Sequence, residues 1–123
     1  MRRVNLTIEI SKFIGVATLE VATKNKNVSK DYQIQRTNES ANEMLAKTLK
    51  EGMSHLTESV ELNIVTKSGY LILSTKSLTK WTSNGFQNAK GNDIKYKEIW
   101  YEIARMAAGH TILINGDEIN ATM

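Results

Sequence analysis

Val4, Leu6, Ile8 and Ile10 alternate with Asn5, Thr7, Glu9 and Ser11, the period-two pattern of a strand that buries one face. A short turn over Lys12 to Gly15 leads to Val16-Ala17-Thr18-Leu19-Glu20-Val21, a second β-rich run. The polar tip Lys24-Asn25-Lys26-Asn27 then leads to a third strand over Asp31 to Arg36, so the three strands read as an antiparallel meander. Next the period changes. Met44, Leu45, Leu49, Met53 and Leu56 fall near helical spacing behind two candidate caps, Asn38 and Ser40, with Gly52 weakening the last turn. Alternation returns at Val60, Leu62 and Ile64, which predicts a fourth strand from Val60 to Val65. A second helix is predicted near Ser68 to Lys80. A third runs from Tyr96 to Ala108, with Ile99, Trp100, Ile103 and Met106 on one face and Gly109 as its stop. Thr111 to Ile114 makes a fifth strand. The order β-β-β-α-β-α-α-β predicts an α/β fold, one mixed sheet with helices on both faces.

At 123 residues the chain reads as one domain, 1–123, long enough to bury a core. A formal net charge of +3 permits a polyanionic partner without demanding one. The absence of cysteine excludes disulfides, thiolate catalysis and sulfur-ligated metals. The two histidines, His55 and His110, lack any HxxxH spacing, which speaks against a histidine zinc site. No apolar run reaches the roughly 18 residues of a membrane span, and the polar alternation from Asn5 onward leaves no apolar leader core. A cytoplasmic chain with no membrane partner is therefore expected.

The end of a strand feeding a helix is where α/β folds often place their chemistry. Here that place is Thr66-Lys67-Ser68-Gly69-Tyr70. Taken alone, Lys67 reads as a surface lysine as readily as a pocket group, and Glu9 and Glu43 read equally well as acids facing water. Lys76, Lys80, Lys90, Lys95 and Lys97 give the second half a basic bias whose plainest reading is a solvated face. Trp100 is expected in the core, whereas Trp81 and Phe86 flank a loop and are expected at the surface, where aromatic rings can meet bases. His110 opens the last strand and suits a structural role; His55 lies near a helix end, where a cation complements the dipole.

Three segments together resemble the ribonuclease H family. Thr66-Lys67-Ser68-Gly69-Tyr70 is similar to the family's Thr-Asp-Ser-x-Tyr after its fourth strand. Trp81, Asn84-Gly85-Phe86, Ala89, Lys90-Gly91 and Glu98-Ile99-Trp100 resemble its Trp, Gly-Trp, Lys/Gly turn and following helix. Thr37 followed by a helix carrying Glu43 resembles its Thr-x-Asn-x-x-x-Glu region. The resemblance implies a five-stranded mixed sheet in the order 3-2-1-4-5, with the first three strands antiparallel.

It also implies hydrolysis of the RNA strand of an RNA–DNA hybrid by two divalent ions, which need several carboxylates converging on one point. Carried over by position, Glu9 stands for the family's first acid and Glu43 for its second. Lys67 replaces the third. The fourth has no counterpart in a motif, the chain reading as short at its C-terminal end; Asp117 and Glu118 are the acids nearest to that place. Like unit charges about 4 Å apart repel by about 4 kcal/mol at an effective dielectric of about 20, and a divalent ion roughly doubles that. Lys67 is therefore expected to replace a metal's charge by pairing with Glu43 or Glu9, and no tight two-metal site is expected.

The reading that follows is a catalytically degenerate domain without a cofactor, binding nucleic acid or protein weakly. An RNA–DNA hybrid is the implied ligand, with Lys80, Trp81, Phe86, Lys90 and Lys95 as the contact residues. Two alternatives stand beside it. One is a slow nuclease using Mg²⁺ or Mn²⁺ on Glu9, Glu43 and Asp117. The other is an interaction module that forms a homodimer to cover apolar surface.

Overall fold

Val4, Leu6 and Ile8 are all buried, and the strand that carries them, β1 (Arg3–Ile10), lies inside the sheet with neighbours on both sides. The computed structural model describes residues 2–119. β1 pairs antiparallel with β2 (Ile14–Ala22), which pairs antiparallel with β3 (Asn27–Gln35), giving the expected meander. On its other side β1 runs parallel to β4 (Glu61–Val65), and β4 runs parallel to β5 (Thr111–Ile114). The predicted order 3-2-1-4-5 is observed and extended by one strand. Asn115 and Gly116, both with positive φ (50° and 88°), turn the chain back into β6 (Asp117–Glu118), so the sheet has six strands rather than five. Asn-Gly is the favoured pair for a two-residue hairpin turn, and it was legible in the sequence.

The helices are α1 (Ala41–Met53), α2 (Gly69–Lys76), α3 (Leu78–Asn84) and α4 (Lys97–Ala107). The single helix expected over Ser68–Lys80 is broken at Ser77. Its side-chain oxygen donates to the carbonyl of Leu73, satisfying from the side a group at the end of α2, and α3 restarts without a side-chain cap. β3 begins four residues before the expected Asp31. Its residues are mostly exposed on both faces, as an edge strand's can be, so no apolar alternation announces it.

All four helices contribute to one core with a single face of the sheet. Leu45 and Leu49 of α1, Leu71 of α2, Leu78 of α3 and Trp100 and Ile103 of α4 join Val4, Leu6, Ile8, Leu62, Ile64, Ile112 and Ile114. The expectation of helices on both faces is therefore corrected among the described residues. The physical reason lies in the opposite face, where Arg3, Asn5, Thr7 and Glu9 of β1 stand in register with Glu61, Asn63 and Val65 of β4 and with Glu20, Thr18 and Val16 of β2. Such a face satisfies itself with polar contacts: Arg3 bonds Glu61, Thr18 donates to Asp31, and the amide of Asn63 donates to Asn5 at 3.0 Å.

Ser40 is the cap of α1, its hydroxyl accepting the Glu43 N–H at 3.2 Å. The helix lies very close to the sheet. A Cβ on Gly52 would meet Leu6 Cδ1 at 2.6 Å and the Ala17 Cβ at 2.9 Å, and one on Gly15 would meet Thr48 and Met44. Gly52 is thus a contact residue as well as a weak point of the helix. On helix propensity alone Gly52→Ala should gain about 1 kcal/mol. We expect the opposite sign, a loss of roughly 1–3 kcal/mol from overpacking against β1 and β2. Urea unfolding decides it, and a variant more stable than the parent would refute the close-packing argument.

His110 has the structural role expected of it. Its Nδ1 accepts the backbone N–H of Val60 at 3.1 Å, tying the start of β5 to the start of β4, and burial holds its pKa below the usual 6.5. The unfolded chain then binds a proton that the folded chain resists. The stabilisation is full above pH 6.5 and is lost as pH falls from there through the lower folded value. Urea midpoints measured from pH 7.5 to 5 should fall more steeply for the parent than for His110→Gln; equal slopes would count against this.

Candidate functional site

The last paired rung between β1 and β4 is Thr7–Val65. Beyond it the two strands end in a cleft of about 830 Å³ lined by Thr7, Ile8, Glu9, Ile10, Leu45, Val65, Thr66, Lys67, Ser68 and Asn115. This is the carboxyl end of parallel strands, where α/β folds place ligands. Glu9 and Lys67 each stand two residues past that rung, so the sequence-predicted pair is brought to one cleft.

The wall that carries Lys67 is held firmly. Asn115 uses its whole amide on the backbone of Thr66: Oδ1 accepts the Thr66 N–H and Nδ2 donates to the Thr66 carbonyl, both at 2.9 Å. Thr66 Oγ1 accepts the Ser68 N–H at 3.0 Å, and Ser68 Oγ caps α2 by accepting from Leu71 at 3.1 Å. The hairpin turn is tied down as well, since the Gly116 N–H donates to Asn63 Oδ1 at 2.8 Å. Asn115 and Asn63 were not singled out in the sequence. Asn115-Gly116 as a turn signal was the available clue to the first, and a polar residue among Leu62 and Ile64 was the clue to the second.

The charges are arranged differently from the expectation. Lys67 is exposed and pairs with neither Glu9 nor Glu43 among the described residues. Glu43 is engaged from within its own helix, where the Lys47 ammonium lies 3.6 Å from Glu43 and 2.9 Å from Glu39. The hydrogen bond from Lys47, together with the backbone N–H of Thr37, holds the Glu39 carboxyl down at about 2 against an ordinary 4.5. Glu43 does not line the cleft, and neither do Asp117 and Glu118 on β6.

These donors do not fit a two-metal centre. Among the described residues Glu9 is the one carboxylate in the lining, the Asn115 amide is occupied by Thr66, and Lys67 adds a positive charge. No group of three or more His, Asp or Glu among those residues is arranged to hold a metal ion.

The predicted nucleic-acid contacts divide into three kinds. Lys80, Lys90 and Lys95 are exposed on α3 and on the segment before α4. Trp81 is half-buried, with its ring centroid 5.7 Å from that of Trp100 in an edge arrangement. Phe86 is corrected: it is buried, packing beside Trp81 and edge-on to Tyr101, and cannot offer its ring to a base. Its backbone has φ 61°, a left-handed conformation directly after the glycine turn at Gly85. Trp100 is buried as expected, its indole N–H donating to the Tyr70 hydroxyl at 2.8 Å. His55 stacks on Tyr32 at 3.6 Å and bonds Glu51, which ties the end of α1 to β3.

A mixed β3-β2-β1-β4-β5-β6 sheet with a helical layer and a cleft beyond β1 and β4 defines a ribonuclease H-like fold. The ribonuclease H family profile matches residues 10–116, beginning one residue after Glu9 and including Glu43 and Lys67. The chain belongs to the ribonuclease H family. It is 31% identical over 64 residues to a Ribonuclease H of Oleidesulfovibrio alaskensis and 30% identical over 63 residues to one of Pelobacter propionicus. Each alignment takes in 50% of this chain but only 42% and 39% of those relatives. Among solved structures it is similar to LC9-RNase H1, a type 1 RNase H with the type 2 active-site motif, with a TM-score of 0.72 at 17% identity over 93% of this chain and 62% of that one. It is also similar to a foamy viral protease-reverse transcriptase solved with an RNA/DNA hybrid, with a TM-score of 0.63 at 17% identity over 93% of this chain and 17% of that one.

The Lys47 bridge can be checked directly. In Lys47→Gln the Glu39 carboxyl should titrate above its parent value of about 2, as followed by carboxyl-carbon NMR. The stability linked to Glu39 in the parent is present above pH 4.5 and is lost as pH falls through about 2. An unshifted Glu39 titration in the variant would assign the effect to the backbone donors instead.

Proposed function

We propose that this chain acts by binding nucleic acid, an RNA–DNA hybrid first, and that it does not cleave efficiently. One observation carries the reading: the cleft at the ends of β1 and β4 presents a lysine, Lys67, with no ion-pair partner among the described residues, in the place where the family's Thr-Asp-Ser motif has its acid. An ammonium there raises the cost of seating a cation, and of the carboxylates at the related positions Glu9 lines the cleft while Glu43 and Asp117 do not. The hybrid is favoured as ligand because the foamy viral protein of similar fold was solved with one. The exposed Lys80, Lys90 and Lys95 supply the sequence-indifferent charge that such binding uses. Without a deep aromatic platform the binding is weak and salt-sensitive. The homodimer reading draws less support, because the large exposed apolar side chains, Phe13, Val28, Leu73 and Tyr101, are spread over the β1–β2 turn, β3, α2 and α4.

The test is cleavage of a labelled RNA–DNA hybrid in Mn²⁺ by the parent and by Lys67→Asp. We expect no cleavage above background by the parent and a measurable gain in the variant. Efficient cleavage by the parent sinks the proposal; slow cleavage abolished by Glu43→Gln favours the slow-nuclease reading.

A further inference from the structure

Lys67 combines three properties that seldom occur together. It stands in a cleft of about 830 Å³, it has no ion-pair partner among the described residues, and its backbone is clamped on both sides. A surface lysine on a mobile loop loses much of its interaction energy to side-chain and loop ordering. Here the loop part of that loss has already been met by Asn115 and Ser68. Hydroxyl and amide groups of Thr7, Thr66, Ser68 and Asn115 share the lining with the apolar Ile8, Ile10, Leu45 and Val65, and Glu9 is the one carboxylate there among the described residues. Glu9 lines the same cleft, also without an ion-pair partner among those residues, and like Lys67 stands two residues past the Thr7–Val65 rung.

We infer that this cleft binds a backbone phosphate of the nucleic acid directly on the Lys67 ammonium, with no divalent ion between them, and that Glu9 opposes the binding. The inference rests on the nucleic-acid reading above and assigns the contact within it. The ammonium donates to a non-bridging phosphate oxygen, a charge-assisted bond that needs no proton transfer. Glu9 lies close enough to share the cleft, so its carboxylate repels the incoming phosphate and limits affinity. In a cation-mediated site the signs reverse: the carboxylate helps, the lysine hinders, and a chelator abolishes the contact.

These opposite signs make the test. Anisotropy of a labelled RNA–DNA hybrid is titrated with the parent chain, Lys67→Gln, Glu9→Gln and Lys24→Gln, in EDTA and in Mg²⁺, over a range of salt. Lys24, exposed in the β2–β3 turn, controls for loss of charge in general. We expect EDTA to leave parent affinity unchanged. Lys67→Gln should weaken binding roughly three- to tenfold and lower the salt slope by about 0.9, the value of one phosphate contact. Glu9→Gln should strengthen binding about two- to threefold, in line with removal of one partly solvated like charge.

If EDTA and Glu9→Gln weaken binding while Lys67→Gln spares it, a cation bridges the phosphate and the inference is wrong. A Lys67→Gln effect no larger than that of Lys24→Gln also overturns it, while leaving nucleic-acid binding intact. If the parent binds no hybrid at any salt concentration, the nucleic-acid reading itself fails and this contact fails with it.

Discussion

The close seating of α1 on the sheet is the constraint from which the rest follows. Gly52 lets the helix backbone approach Leu6 and Ala17, and Gly15 lets β2 pass beneath Met44 and Thr48. At that distance Leu45 and Leu49 reach the sheet's apolar face, and each fully buried leucine side chain contributes about 1.5–3 kcal/mol. Because α4 packs on α1, and α2 and α3 follow it, the whole helical layer takes its height from these two glycines. The cleft does too: Leu45, which forms part of its wall, is placed by the same contact. A bulkier helix–sheet interface would lift α1 and widen the site at its end.

A second constraint sets the opposite wall. On the polar side of the sheet, Asn5, Asn63, Asn115 and the backbone of Gly116 and Thr66 form one connected set of hydrogen bonds that crosses β1, β4 and the β5–β6 turn. Asparagine suits this use because its amide offers donor and acceptor at once, so it can substitute for a missing strand partner just where β4 ends. Thr66 is satisfied without a further β-rung, and the chain is free to leave the sheet at Lys67. The polar face thus contributes to the shape of the site as the apolar face contributes to stability.

Much of this was legible in the sequence, and the exceptions share a cause. β1 and β4 were plain because one face is buried and the other polar, so alternation is strict; the strand order was legible through the Thr66–Tyr70 and Glu98–Trp100 segments. β3 was half hidden because an edge strand buries little on either side. The break at Ser77 depends on a serine turning back to the Leu73 carbonyl, a choice that propensity does not record. Phe86 looked like a surface residue because it borders a loop, yet it is buried against Trp81 and Tyr101, tertiary neighbours that local pattern does not record. At the site, the presence of Glu9 and Lys67 in one cleft was legible, but the capture of Glu43 by Lys47 was not, since a lysine four residues along a helix is ordinary until its other partner, Glu39, is known.

The cleft separates two things that a family resemblance tends to join, the shape of a site and the sign of its charge. Its shape is made by strand ends, an asparagine clip and a helix held close by glycine, none of which depends on the residue at position 67. The charge depends on that residue and on Glu9, the one carboxylate in the lining among the described residues. Exchanging a carboxylate for an ammonium changes the local charge by two units while the backbone is held by bonds to Thr66 and Ser68 rather than by the side chain. A carboxylate-lined cleft accepts a phosphate only together with cations, because the bare anions repel. On the binding proposal made above, Lys67 lets the same cleft take the phosphate itself and resist the cation. The fold can therefore stay constant while the order of partners is inverted, which is the physical basis of the proposal that this chain binds without efficient cleavage.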